Sequence, residues 1–179
     1  MQKPPFPLTR DIVLIGGGHA HALVLQMWAM DPLPGVRITV INPGPVAPYT
    51  GMLPGAIAGH YNRNSMMIDL VRLARFAGLR PCAGAHGWPC GLDRGARQVL
   101  LQSGRRLRYD VVSVDIGIAS DLPDVPGYAA HGVAAKPLGA YAARWEAFVA
   151  TAGAAPQLAI IGAGVGGVEL ALASAHRLR

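Results

Sequence analysis

The sequence predicts an α/β fold in which two short apolar strands each lead through a glycine-rich turn into an apolar helix. The run Asp11-Ile12-Val13-Leu14-Ile15 ends in Gly16-Gly17-Gly18, and Leu158-Ala159-Ile160-Ile161 ends in Gly162-Ala163-Gly164-Val165-Gly166-Gly167. Such a turn lets a diphosphate approach the backbone, and the following helix offers it N–H groups and the positive end of its dipole. The doubled motif therefore predicts a Rossmann-like protein that binds two dinucleotides.

The composition is that of a folded protein with a sizeable core. Of the 179 residues, 51% are hydrophobic and 15% are charged, which excludes a disordered chain. The net charge of +6 comes from scattered basic residues without interleaved aromatic residues, so no nucleic acid partner is expected. The charge suits an anionic cofactor, peripheral contact with a membrane, or a solvated surface. Neither a signal peptide nor a transmembrane span is predicted, and a cytoplasmic location is the default expectation.

The chain is predicted to begin with a βαβ unit. Residues 11–16 have the pattern of a buried parallel strand, 18–30 of a helix and 36–41 of a second strand. The proline-rich stretch over 42–54 is predicted to be a loop with a functional role. Asp69 is predicted to cap the next helix, because an aspartate before an apolar helical pattern accepts hydrogen bonds from the first turn.

The rest of the chain is predicted to hold a small β insertion and the start of a second domain. Residues 79–116 have the pattern of short strands separated by turns, a β-hairpin or meander. A proline-rich connector places a boundary after residue 124, so 1–124 would be the first domain and 125–179 the beginning of the second. A helix over 139–150 precedes the second glycine motif, and the chain is expected to be an N-terminal fragment of a longer protein.

The first glycine motif supplies candidate ligands for a diphosphate. Gly16 would permit the tight turn, Gly18 would let the diphosphate reach the backbone, and the next two residues would offer N–H groups. These candidates are Gly16, Gly17, Gly18, His19 and Ala20.

Two positions near this motif depart from the usual pattern. His21 stands where a third glycine would allow close packing of helix on strand. Asn42 follows the second strand, where a carboxylate would hold the ribose hydroxyls; its amide oxygen can accept one hydrogen bond, or the residue merely opens a turn before Pro43. His19 and His21 begin the helix on different sides, so no metal site is predicted.

The second glycine motif is the more complete one. Gly162, Gly164 and Gly167 fill all three glycine positions, and Glu169 follows inside the helix. The alternative to a ligand site is a packing turn rich in glycine. An acidic residue about twenty positions further on would report on the ribose 2′ group, and those positions lie beyond Arg179.

With these motifs, the chain resembles the flavoproteins with two dinucleotide-binding domains, the pyridine nucleotide-disulfide oxidoreductase superfamily. Residues 109–117, Y-D-V-V-S-V-D-I-G, are similar to its Y-D-x-L-V-I-A-T-G segment, and 122–127 resemble its P-x-I-P-G tail. Within the superfamily the chain is most similar to the type II NADH dehydrogenase-like branch. Residues 16–21 and 48–55 look closer still to the flavoprotein domain fused to selenide, water dikinase (selenophosphate synthetase), which would be a fused or adjacent partner.

The resemblance implies an FAD-dependent NAD(P)H oxidoreductase, with FAD in the first domain and NADH or NADPH in the second. Hydride would pass from the nicotinamide to the flavin and on to a small-molecule or quinone acceptor. The loop over 49–54 would lie beside the isoalloxazine ring, Gly117 near the ribityl–phosphate region, and Glu169 near the junction of nicotinamide and flavin. The further cofactor-contacting residues implied are Tyr49, Thr50, Gly51, Ile116 and Gly117. The resemblance implies no particular catalytic residue.

Three departures from the superfamily pattern keep other functions open. No C-x-x-x-x-C pair precedes Cys82, so a dithiol mechanism is not expected, and Cys82 and Cys90 are badly placed for sulfide:quinone reduction. Asp115 puts a carboxylate where the superfamily has a small apolar residue. Pro89 lacks the N–H that would meet the adenine edge. Together with the incomplete first glycine motif and Asn42, Pro89 favours the alternative, a catalytically silent nucleotide-binding or regulatory module or a fusion partner of a selenophosphate synthetase.

Overall fold

The computed structural model describes residues 7–79, 82–83, 88–120, 122 and 124–179, and of 82–83 only the backbone. The strands are β1 (Arg10–Ile15), β2 (Val36–Asn42), β3 (Val46–Pro48), β4 (Met67–Asp69), β5 (Cys82–Ala83), β6 (Pro89–Asp93), β7 (Gln98–Leu101), β8 (Arg106–Arg108) and β9 (Val111–Val114). The helices are α1 (His19–Met30), α2 (Leu53–Ala58), α3 (Leu70–Phe76), α4 (Tyr128–His131), α5 (Leu138–Thr151) and α6 (Val165–Leu178).

The chain forms two compact units. One comprises the chain up to Ala47 together with Ile68–Gly117, and the other comprises Pro48–Met67 together with Ile118–Arg179. The short strands β3 and β4 pair with each other as a two-stranded sheet. Each unit has a hydrophobic core of its own.

The first unit is built on a parallel sheet with the strand order β5-β2-β1-β9. Alternate side chains of β1 point to opposite faces, so Leu14 packs with Leu25 of α1, whereas Val13 and Ile15 pack with Val99 of β7. Both faces of the central strand are therefore covered, which explains why β1 is apolar without interruption rather than alternating. The predicted βαβ unit and α/β fold are confirmed.

The predicted β insertion is a three-stranded antiparallel sheet with the order β6-β7-β8. The turn between β6 and β7 is closed by Asp93, whose Oδ1 accepts a hydrogen bond from the N–H of Ala96 at 2.8 Å. Asp69 caps α3 as predicted, since its Oδ1 accepts from the N–H of Arg72 at 2.8 Å.

The second unit is a helical cluster in which α2 packs with α5 and α6. Trp145 of α5 is buried, and its indole Nε1–H donates to the carbonyl of Ile57 at 3.1 Å, which satisfies both polar groups. None of the helices described is long and apolar enough to cross a membrane.

Two predictions about local structure are wrong. Residues 156–163, including the predicted strand over 158–161, have no regular secondary structure, although the helix after the glycine motif forms. A parallel strand exists only through hydrogen bonds to neighbouring strands, and no strand in the described part of the chain pairs with this segment. The stretch over 42–54 is not a single loop, because it contains β3, a 3₁₀ turn at Thr50–Met52 and the start of α2.

Candidate functional site

The first glycine turn joins β1 to α1, and protein atoms fill the space beside each of its glycines. Gly16 has a φ of +95°, and a Cβ atom built on it would lie 2.1 Å from the carbonyl oxygen of Asp115. A Cβ on Gly17 would lie 2.1 Å from the Cδ1 atom of Leu70. The glycines are therefore required by the packing of the first unit itself, with or without a ligand.

The carboxylate of Asp115 lies at the beginning of α1. A Cβ atom built on Gly18 would lie 2.2 Å from both of its oxygens, and its Oδ2 accepts a hydrogen bond from the N–H of His21 at 3.3 Å. The N–H of Gly18 also donates to the main-chain carbonyl of Asp115 at 3.2 Å. Since α1 has no acidic residue in its own first turn, a residue that follows β9 supplies the negative charge at the positive end of this helix.

His21 holds the turn, α1 and β9 together. Its side chain is 2% exposed; Nδ1 lies 2.8 Å from the carbonyl oxygen of Gly16, and Nε2 lies 2.9 Å from Oγ of Ser113. Both ring nitrogens are thus paired although the residue is buried. The preceding residues, His19 and Ala20, are exposed at the beginning of α1.

Asn42 ends β2 beside the turn. Its amide nitrogen donates to the carbonyl of Gly44 at 2.7 Å, and its Oδ1 would lie 3.1 Å from a Cβ atom on Gly17. The two interpretations of this residue therefore use different atoms of one amide: the nitrogen shapes the following loop, and the oxygen faces the glycine turn.

Residues 116–117 follow Asp115 directly. Ile116 is exposed, and its main-chain nitrogen would lie 2.9 Å from a Cβ atom on Gly16. Gly117 has a φ of +76° with open space around it. The first unit thus brings the predicted residues of the first glycine turn, Asn42 and 116–117 together at one end of its parallel sheet.

The predicted loop residues Tyr49, Thr50 and Gly51 belong to the second unit. The ring of Tyr49 packs on Gly51, where a Cβ atom would lie 2.9 Å from its hydroxyl-bearing carbon. Nζ of Lys136 donates to Oγ1 of Thr50 at 3.3 Å, and the N–H of Lys136 donates to Oγ of Ser120 at 3.1 Å.

Sequence reasoning missed Lys136. The feature of the sequence that could have indicated it is its residue type, because it is one of only two lysines in a chain with fourteen arginines. A strongly hydrated point charge beside a predicted cofactor loop differs from an arginine in what it can stabilise.

The second glycine turn leads into α6. Gly162 has a φ of +116°, and a Cβ atom on Gly167 would lie 2.1 Å from the carbonyl oxygen of Gly162. Gly164 is the N-cap, and its carbonyl accepts from the N–H of Val168 at 3.0 Å. Glu169 is exposed on the helix. The strand is missing, yet the turn keeps the close approach that its glycines predict.

A pocket of about 400 Å³ lies beside this second turn. Its aromatic lining includes Tyr141, and burial raises the pKa of that phenol because it disfavours the charged form. Glu169 does not line the pocket. The residues that line it are Ser120, Tyr128, His131, Gly132, Val133, Ala134, Ala135, Tyr141, Leu158, Ala159, Ile160, Ile161, Gly162, Gly164, Gly167 and Leu170.

A protein-family model described as pyridine nucleotide-disulphide oxidoreductase matches residues 10–178. The chain belongs to this family. No protein of curated function matches the sequence.

Solved structures share the fold of this family member. Ferredoxin reductase for the CYP199A2 system from Rhodopseudomonas palustris has a TM-score of 0.75 at 20% identity, covering 95% of this chain and 41% of that one. A NAD-dependent persulfide reductase from A. fulgidus has a TM-score of 0.75 at 21% identity, covering 94% and 32%. Water-forming NADH oxidase from Lactobacillus brevis, bound to NADH, has a TM-score of 0.74 at 18% identity, covering 94% and 38%. The chain therefore spans about a third to two fifths of the length of these proteins.

The remaining departures from the family pattern lie on the antiparallel sheet. Cys90 is exposed on β6, and its Sγ lies 3.5 Å from the carbonyl oxygen of Leu100. Pro89 begins β6 and is paired with Leu101, next to an irregularity in the register. The side chain of Cys82 lies outside the described residues, and no three metal-ligating side chains cluster among those described.

Proposed function

We propose that this chain provides the FAD site and the beginning of the NAD(P)H site of an oxidoreductase that passes hydride from NADH or NADPH to FAD. The observation that carries the proposal is the family match over residues 10–178, which includes two glycine turns that each end at the first turn of a helix. Residues 1–124 would form the FAD-binding domain and 125–179 the start of the NAD(P)H-binding domain.

The residues of the first turn suit a dinucleotide in all but one respect. The exposed start of α1, at His19 and Ala20, would receive the diphosphate, and Oδ1 of Asn42 would accept from a ribose hydroxyl. The glycines themselves add no side chain to this region, although Leu70 and Asp115 approach them closely. Asp115 is the exception, because its carboxylate opposes a second negative charge at the same helix end.

When bound, FAD would accept two electrons from the nicotinamide, and the protein would orient the two cofactors and adjust their charge. The resemblance puts Tyr49, Thr50 and Gly51 beside the isoalloxazine ring. Lys136, which donates to Thr50, would then hold a positive charge at this loop. Such a charge would stabilise negative charge that arrives with the hydride.

The test is the visible absorption spectrum of the longest purifiable form of this protein in the presence of FAD, recorded before and after anaerobic NADH, because residues 1–179 would hold only the beginning of the NAD(P)H site. We expect flavin absorption that bleaches when NADH is added. Bleaching with NADPH as well would show that either nucleotide can donate the hydride. A protein that binds no FAD even at saturating concentrations of the cofactor would contradict the proposal.

The second candidate is a nucleotide-binding or regulatory module without turnover. It is favoured by the carboxylate of Asp115 at the helix end where the diphosphate would bind. This candidate predicts binding of FAD or of a simpler diphosphate without reduction by NADH. Bleaching of the bound flavin would exclude it.

The acceptor does not follow from the fold. The structural neighbours are named for a ferredoxin system, a persulfide and the formation of water, so one architecture serves different acceptors. A type II NADH dehydrogenase-like role with a small-molecule or quinone acceptor, and a fused or adjacent selenophosphate synthetase, remain proposals carried by the motifs at 16–21 and 48–55. A cytoplasmic location remains a prediction.

A further inference from the structure

We propose that the carboxylate of Asp115 competes with the diphosphate of FAD for the N-terminal end of α1, and so sets how weakly the first glycine turn holds its cofactor. The inference rests on the proposed FAD-binding function and deepens it by naming a residue that determines affinity and ligand charge preference. A protein group that already supplies negative charge to the helix end makes the chain selective against a second anion there.

The geometry brings the carboxylate to the face of the turn that a diphosphate needs. Its two oxygens lie 2.2 Å from the point where Gly18 would carry a Cβ atom. Gly18 is the position at which the missing side chain should give a diphosphate access to the backbone. In this chain the carboxylate of Asp115 occupies that space beside Gly18.

The hydrogen bonds agree with this placement. Oδ2 of Asp115 accepts from the N–H of His21 in the first turn of α1, at 3.3 Å. The main chain on either side is fixed, because the N–H of Asp115 donates to Ile15 at 2.8 Å and its carbonyl accepts from Gly18. Only the side chain is able to leave the helix end without disturbing the sheet.

No ion pair involving Asp115 occurs among the described side chains, and α1 contributes no acidic or basic side chain in its first turn other than histidines. The positive end of the helix dipole is therefore the favourable partner of this carboxylate. A diphosphate arriving at the same end must share that partner and meets a like charge a few ångströms away.

The experiment compares the chain with Asp115→Asn and Asp115→Ala, using Asp31→Asn as the control. Asp31 follows the other end of the same helix and is exposed, so its replacement changes the net charge equally but about 18 Å away. Affinity for FAD is measured by flavin fluorescence at low ionic strength. Riboflavin, which lacks the diphosphate, serves as the second ligand, and inorganic pyrophosphate is titrated while the amide signals of residues 17–20 are followed by NMR.

We expect both Asp115 variants to bind FAD about tenfold more tightly than the unaltered chain, since one like charge is removed at close range. Asp31→Asn should leave the affinity unchanged, and riboflavin should not distinguish the variants. A variant that only loosens the fold would bind more weakly, so a gain in affinity is not explained by a structural role. If the unaltered chain binds FAD, equal or weaker FAD binding by both variants would overturn the inference.

The pyrophosphate titration separates failure of this inference from failure of the proposed function. If no chain binds FAD but Asp115→Asn gains pyrophosphate binding at residues 17–20, the FAD proposal fails and the competition stands. If FAD binds and is reduced equally in all variants, the function stands and the competition fails. If neither FAD nor pyrophosphate binds to any variant, both fail.

Discussion

His21 connects three parts of the first unit through one buried ring. The pattern of the sequence marks the residue only as a histidine where a third glycine is usual. Its partners are the carbonyl of Gly16, five residues earlier, and the hydroxyl of Ser113, ninety-two residues later. The second contact depends on the pairing of β9 with β1, which no local pattern contains. The histidine in place of the third glycine is therefore visible in the sequence, but the hydrogen bond from its ring to Ser113 could not be predicted from it.

The hydrogen bond between His21 and Ser113 should contribute measurably to stability. We expect His21→Leu to lower the free energy of unfolding by about 2 kcal/mol, because it leaves the carbonyl of the buried Gly16 without its partner and removes the hydrogen bond to Ser113. Ser113→Ala should cost about 1 kcal/mol, and the double variant less than the sum. Urea denaturation of the four chains measures this coupling. Strictly additive losses would show that the two side chains do not interact.

The position of the Asp115 carboxylate also depends on contacts between segments that are distant in the sequence. Its departure from a small apolar residue is visible in the sequence, and so is the expected helix start at residue 18. That the carboxylate lies against Gly18 follows only from the register of β9 beside β1, in which Ile15 is opposite Val114.

The turn between β1 and α1 allows a test of why its glycines are needed. Gly16 combines a φ of +95° with a carbonyl oxygen 2.1 Å from the Cβ position, whereas Gly104, between β7 and β8, has a φ of +79° with no atom within 4 Å. Gly104→Ala should therefore cost about 1 kcal/mol for the backbone conformation alone. Gly16→Ala should cost about 3 kcal/mol because the clash adds to that strain.

Thermal or urea unfolding of the two alanine variants measures the difference, and Gly139→Ala serves as a control without strain or clash. If Gly16→Ala and Gly104→Ala cost the same, the close approach of Asp115 does not constrain this turn. A gain in stability for Gly139→Ala is expected, since alanine is the better helix former at a position inside α5.

At the second glycine motif the sequence predicts the helix correctly but not the strand. The apolar run over 158–161, its β-branched residues and the glycines after it all favour a strand, and α6 begins at Val165 as the motif predicts. The helix forms because its hydrogen bonds are internal, whereas the strand requires partners that the described residues do not offer. The same asymmetry explains why β1, β2 and α1 were predicted well: their partners lie within one βαβ unit.

At the scale of the whole molecule, the division of the chain into two compact units was not visible in any pattern. Residues 48–67 join the helical unit together with 118–179, through contacts such as the bond from Trp145 to Ile57. Such contacts join segments that are eighty-eight residues apart. The family match and the doubled motif predict the fold class, and the tertiary contacts decide which segments share a core.

The apolar surface of α6 should make this chain self-associate. Val165, Val168 and Leu172 are 79%, 50% and 68% exposed, and an exposed apolar stripe of this kind favours association. We expect the double variant Val168→Lys, Leu172→Lys to be more monomeric than the unaltered chain by sedimentation velocity over a series of concentrations. Met30→Lys, which adds a charge at an exposed apolar residue of α1, is the control and should change the distribution less. If the unaltered chain sediments as a monomer at every concentration, this prediction is wrong. The exposed face of α6 then does not cause self-association.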